Sequence, residues 1–146
     1  MKLKIELVCL VLLAASFPAA ATLGEDVSSV STDQAQMEAK LQVAGSGVYS
    51  VHELQLPSGT TVKEYVSSAG TVFAVSWQGP SLPDLRQVLG KYFDQYTQSL
   101  RTQGAGPRPI ATPGLVVQSG GRMRAFFGRV FVPQMLPRGV RAEDIQ

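Results

Sequence analysis

The chain has 146 residues, with 13 Lys and Arg, 11 Asp and Glu, one His, one Cys and a formal net charge of +2. One cysteine excludes a disulfide framework, and the length suits a single domain with a modest core. The small net charge conceals an asymmetry. From Thr22 to Leu100 four basic residues stand against eight acidic ones, whereas from Arg101 onward seven arginines stand against Glu143 and Asp144. Such halves either compensate each other or leave a basic surface.

Lys2 and Lys4 precede an apolar run, Leu7 to Phe17, that is too short to persist as a membrane span, and Ala19-Ala20-Ala21 supplies a small-residue cleavage site. A signal peptide over residues 1–21 is expected, with an uncleaved anchor as the alternative. Its removal leaves 125 of the 146 residues, 22–146, as one domain in the periplasm or outside the cell. Cys9 departs with it, and Glu6-Leu7-Val8 before it is no lipobox, so the mature chain folds without disulfide or thiolate. No second apolar run is long enough to cross a bilayer.

Residues 22–31 read as a loose lead-in, and Ser31 or Thr32 as the cap of a short helix through Leu41 with Met37 and Leu41 as its contacts. Tyr49 to Leu56 reads as a strand whose apolar parity changes midway, which predicts a bulge near His52 or Glu53. Leu56-Pro57-Ser58-Gly59-Thr60 is a hairpin loop, Thr60 to Ser67 a second strand rich in Thr, Val and Tyr, and Ser68-Ala69-Gly70 a second turn. Thr71 to Gln78 is apolar on both parities, as a central strand requires, and Gly79-Pro80 ends it.

Ser81 then suits an N-cap with Asp84 in the capping-box position, opening a helix from Leu82 to Leu100. Leu82, Leu85, Val88, Leu89, Tyr92, Phe93, Tyr96 and Leu100 form its apolar stripe. Gly90 inside it implies a close approach to a neighbouring backbone. After a loop at 103–109, Leu115–Gln118 and Met123–Val132 read as strands joined by Ser119-Gly120-Gly121, with a bulge at Gly128, and a polar tail runs from Arg138 to Gln146. The order argues an α+β fold: an antiparallel three-strand β-meander, one long amphipathic helix packed on one sheet face, and a β-hairpin. A two-sheet sandwich with a helical insert is the alternative.

Catalytic and ligand patterns are sparse. His52 stands alone, no potential metal ligands show motif spacing, and Ser76 lacks the glycines of a nucleophile elbow, so no cofactor or metal is expected. Glu53 and Glu64 read as exposed carboxylates on neighbouring strands that only mimic a catalytic pair. Tyr65, Phe73 and Trp77 share one face by parity. They are core if that face carries the helix, or a stacking platform for sugar rings beside Lys63 if it faces water. Arg122 and Arg124 project together, and the expected bulge at Gly128 brings Arg129 beside them. This row suits phosphate or carboxylate oxygens, unless the arginines pair internally with Glu53, Glu64, Asp84 or Asp94. The candidate binding residues are therefore Arg122, Arg124, Arg129, Trp77 and Tyr65. Their expected ligand is an anionic or glycan envelope component or a protein partner, with nucleic acid improbable in that compartment. A small envelope hydrolase using His52 with nearby carboxylates is the alternative.

The residues Tyr49, Leu54-Gln-Leu-Pro-Ser-Gly-Thr, Glu64-Tyr-Val, Gly70-Thr-Val-Phe-Ala-Val-Ser-Trp-Gln-Gly-Pro and Pro83-Asp84-Leu85 resemble an uncharacterised family of exported bacterial proteins, domain of unknown function 2844. Ser119-Gly-Gly-Arg-Met-Arg-Ala-Phe and the Ala21-Thr-Leu-Gly start fit the same pattern. The resemblance covers nearly all of the mature chain and implies a single exported bacterial domain. It brings no catalytic or binding residues with it.

Overall fold

The strand Val72–Gly79 (β4) is the middle strand of a seven-stranded antiparallel sheet, and six of its residues, Val72 to Trp77, are buried. The computed structural model describes residues 23–103 and 108–146; the expected signal peptide and part of the 103–109 loop lie outside them. Four strands run as a meander: Lys40–Ser46 (β1), Tyr49–Gln55 (β2), Thr61–Ser67 (β3) and β4. Ile110–Thr112 (β5), Leu115–Arg122 (β6) and Ala125–Phe131 (β7) then return, giving the order β1-β2-β3-β4-β7-β6-β5. The fold is α+β, and all seven strands share one sheet.

Helix Ser28–Gln36 (α1) precedes the sheet, and a broken helix follows β4: Leu85–Leu89 (α2), a 3-10 turn at Gly90–Tyr92, and Phe93–Gln103 (α3). One face of the sheet carries the helices. There Val62, Val75, Trp77, Val117 and Val130 pack with Val30, Val88 and Leu89, and Leu85, Phe93 and Tyr96 close the edge. The other face carries the C-terminal segment, where Ile145 is 1% exposed against Tyr65, Phe73, Ala74 and Phe131.

Several local expectations change. The short helix through Leu41 ends at Gln36, and Leu41 lies in edge strand β1, whose partner β2 aligns with it residue for residue from Lys40↔Gln55 to Ser46↔Tyr49. Neither ladder of β2 breaks near His52; the irregularity falls between Tyr65 and Val66, where β4 contributes the extra residue Phe73. That bulge reverses the parity of β4. Val72, Val75 and Trp77 thus reach the helix face, while Phe73, Ala74 and Ser76 meet the tail face.

The long helix starts at Leu85 because Asp84, not Ser81, caps it, accepting from the amides of Arg86 at 2.9 Å and Gln87 at 3.4 Å. Ser81 instead clasps Thr60, whose hydroxyl donates 2.7 Å to the Ser81 carbonyl. Gly90, at φ 46°, ends α2 and turns the chain into α3, a backbone conformation that glycine adopts readily. Gly128 marks no bulge, since both its ladders run through in register. A Cβ there would strike the Trp77 indole, so only glycine lets the ring cross the strand. Strand β6 continues through Ser119-Gly120-Gly121 to Arg122, and the hairpin turn is Met123-Arg124.

The lead-in is fixed: Leu23 is fully buried, its amide donates to Val88 O at 3.3 Å, and Asp26 bridges to Thr71. The tail is fixed as well. Arg129 on β7 donates through Nη1 to the Ala142 carbonyl at 2.6 Å and the Ile145 carbonyl at 3.1 Å, and through Nε to Gln118 Oε1 at 2.7 Å. Tyr65 Oη donates to the Gln146 carbonyl at 2.7 Å and accepts from the Gln146 amide at 2.9 Å.

Candidate functional site: a cationic cleft and a buried acid pair

Beside Ile145 and Gln146 of the tail, an open cleft of about 1170 Å³ lies across β3, β4, β7 and β6. Alternation along the strands places Lys63, Gln78, Gln118, Phe127 and Arg129 in its lining; Arg124 stands at the hairpin end and Gln146 at the tail end. Lys63 faces Glu53 across the β2–β3 ladder. Phe127 is 58% exposed, an aromatic surface held beside amide and cationic groups. The cleft thus offers charge for an anion, amides for hydroxyls and one ring for stacking.

Of the residues expected to bind, Arg124, Arg129 and Trp77 line this cleft, while Arg122 and Tyr65 do not. Arg129 is largely committed to holding the tail. Trp77 and Tyr65 are 2% and 3% exposed on opposite sheet faces, so Tyr65, Phe73 and Trp77 form no common platform. The Phe73 bulge separates them. None of the arginines pairs with Glu53, Glu64, Asp84 or Asp94; among the described residues the ion pairs are Lys91–Glu25 at 3.5 Å and Arg141–Glu143 at 3.9 Å. Phe127, Gln78 and Gln118 were not singled out from sequence, although the alternation of β7 and the polar end of β4 carry the signal.

A second cluster lies under α1. Glu64, expected to be exposed, is 2% exposed between Val62 and Val66 on the helix face, and its carboxyl is hydrogen-bonded to Asp33. Gln87 Nε2 donates to Asp33 Oδ1 at 2.6 Å and to Gln36 Oε1 at 3.1 Å, tying α2 to α1. Burial, then the neighbouring Asp33 carboxylate, pushes the Glu64 carboxyl up to about 10, so it holds a proton at neutral pH. His52 stands opposite Glu64 in the ladder, half-buried, and burial lowers its pKa. Its Nε2 lies 3.1 Å from Ser50 Oγ. Among the described residues no three His, Cys, Asp or Glu side chains converge as a metal site.

The family description that matches this chain is "Protein of unknown function (DUF2844)", over residues 19–145, and the chain belongs to that family. No curated protein and no solved structure gives a match.

Proposed function

We propose that this member of the DUF2844 family is an exported, non-catalytic binding domain whose cleft takes an acidic glycan of the cell envelope. The cleft itself carries the reading: Lys63 and Arg124 supply cations, Gln78 and Gln118 supply amides, and Phe127 supplies an exposed ring. Guanidinium and ammonium groups pair with carboxylate or phosphate, while a ring offers stacking to a sugar face. The test is calorimetric titration with an acidic polysaccharide against a neutral one. Lys63→Ala and Phe127→Ala should each weaken the acidic ligand by about tenfold, consistent with roughly 1–2 kcal/mol per contact. Added salt should weaken it further, with an unchanged Tm. Equal affinity for parent and variants would overturn the reading.

Export is supported by the charge, apolar run and small-residue site of residues 1–21, and by a family match that begins at residue 19. N-terminal sequencing of the exported form should read from Thr22; a sequence starting at Met1 would refute cleavage.

A hydrolase is the second reading, favoured by the Ser50 hydroxyl within 3.1 Å of His52 and by Glu64 opposite that ring. It predicts Ser50 labelling by a fluorophosphonate and loss of that labelling in His52→Ala. The protonated, buried state of Glu64 counts against it, because a neutral acid does not stabilise an imidazolium.

A further inference from the structure

The β6–β7 hairpin outruns its neighbours on both sides. Strand β4 last pairs with it at Gly79↔Phe126, and β5 pairs only with Leu115–Val117, so the end from Gly121 to Ala125 stands clear as a two-stranded finger. All five of these residues are exposed. At the tip Met123 is 92% exposed, the most open of the large apolar side chains. Arg122 and Arg124 flank it, and among the described residues neither guanidinium makes a hydrogen bond or ion pair. Arg124 sits at φ 66°, a left-handed conformation where glycine or asparagine is the ordinary choice. No acidic residue occurs between Asp94 and Glu143, so nothing local neutralises the finger.

From these features we infer that the finger is a membrane-surface contact, with Met123 entering the headgroup boundary of an anionic bilayer and Arg122 and Arg124 engaging lipid phosphates. The shape favours a bilayer over a folded protein. A protein partner of a convex, apolar tip must offer a pocket for Met123, whereas a lipid interface yields to it, and its anionic headgroups complement the two guanidiniums. The finger meets the proposed glycan cleft at Arg124, which lines it, whereas Met123 and Arg122 take no part in that lining.

Residues 7–17 are themselves apolar, so vesicle binding of the full chain is a poor readout. The emission of an indole placed at the tip is a local one. In Met123→Trp, vesicles of phosphatidylcholine with phosphatidylglycerol should shift the added emission to the blue, and brominated acyl chains should quench it, while Trp77 stays as in the parent. Phosphatidylcholine alone should do neither. In the same background Arg122→Ala with Arg124→Asn, the latter chosen because asparagine tolerates the left-handed backbone, should raise the lipid concentration needed by about tenfold or more. The inference is overturned if the tip indole stays in water while the chain sits on anionic vesicles, or if pure phosphatidylcholine quenches it equally. Capture by a soluble acidic polysaccharide without vesicle quenching would also overturn it, and would leave the cleft reading standing.

Discussion

Glu64 is the residue at which folding and pH are linked. Its carboxyl titrates at about 10 in the folded chain, against 4.5 when unperturbed. Between those values the folded state keeps a proton that the unfolded state has released. Stability therefore falls as pH rises through that window, by up to about 1.4 kcal/mol per pH unit, and levels off above the folded value. Below about pH 6.5 the half-buried His52 acts in the opposite sense, because its lowered pKa costs stability as acid protonates the unfolded imidazole first. Urea midpoints taken from about pH 7 to about pH 9 isolate the Glu64 effect. They should decline for the parent and stay nearly flat for Glu64→Gln, which still donates to Asp33. An equally steep decline in the variant would disprove the assignment. Gly128 offers a second residue-level test. Gly128→Ala forces its Cβ against the Trp77 indole and should cost about 1–3 kcal/mol, with a red shift of tryptophan emission as the ring is displaced.

At the scale of elements, α2 is the anchor of the helical layer, since Val88 and Leu89 are 2% and 0% exposed while α3 contributes only half-buried rings. Leu89→Asp removes that burial and places a charge in the interface, so it should cost several kcal/mol. A melting temperature within a degree or two of the parent would show the helix undocked. The sequence made β3, β4 and the helical stripe readable, because period-2 and period-3.6 patterns are strong there. It hid β1 because Leu41-Gln42-Val43-Ala44 alternates weakly on an edge strand whose Val43 is 59% exposed. Helix α1 was misplaced for a related reason: its buried polar residues, Ser29 and Asp33, imitate a solvated loop. The β6–β7 turn was misread because Ser119-Gly120-Gly121 has turn composition, yet Gly120 and Gly121 are placed where a Cβ would strike Phe127 and the Ala125 backbone. Of the binding residues, the arginines of the hairpin were visible, but Arg122 and Arg124 sit at a turn instead of alternating on a strand, and the bulge expected to bring Arg129 beside them does not occur.

For the whole molecule, one sheet is covered on two sides by segments remote in sequence. The helix face is built from neighbours of the meander, whereas the tail face waits for Arg141 to Gln146. Ile145→Ala should cost about 2–4 kcal/mol through the cavity it leaves, and amide exchange should quicken at Tyr65 and Phe73 while Val62 and Val75 stay protected. Loss of protection on both faces together would mean that the two cores unfold as one unit. The Tyr65–Gln146 clasp joins positions 81 apart. In any vectorial delivery, from a ribosome or through a translocation channel, Tyr65 and Phe73 therefore emerge long before their lid. The sheet is held half-finished, with one greasy side available to a chaperone, until the tail behind the seventh strand has passed.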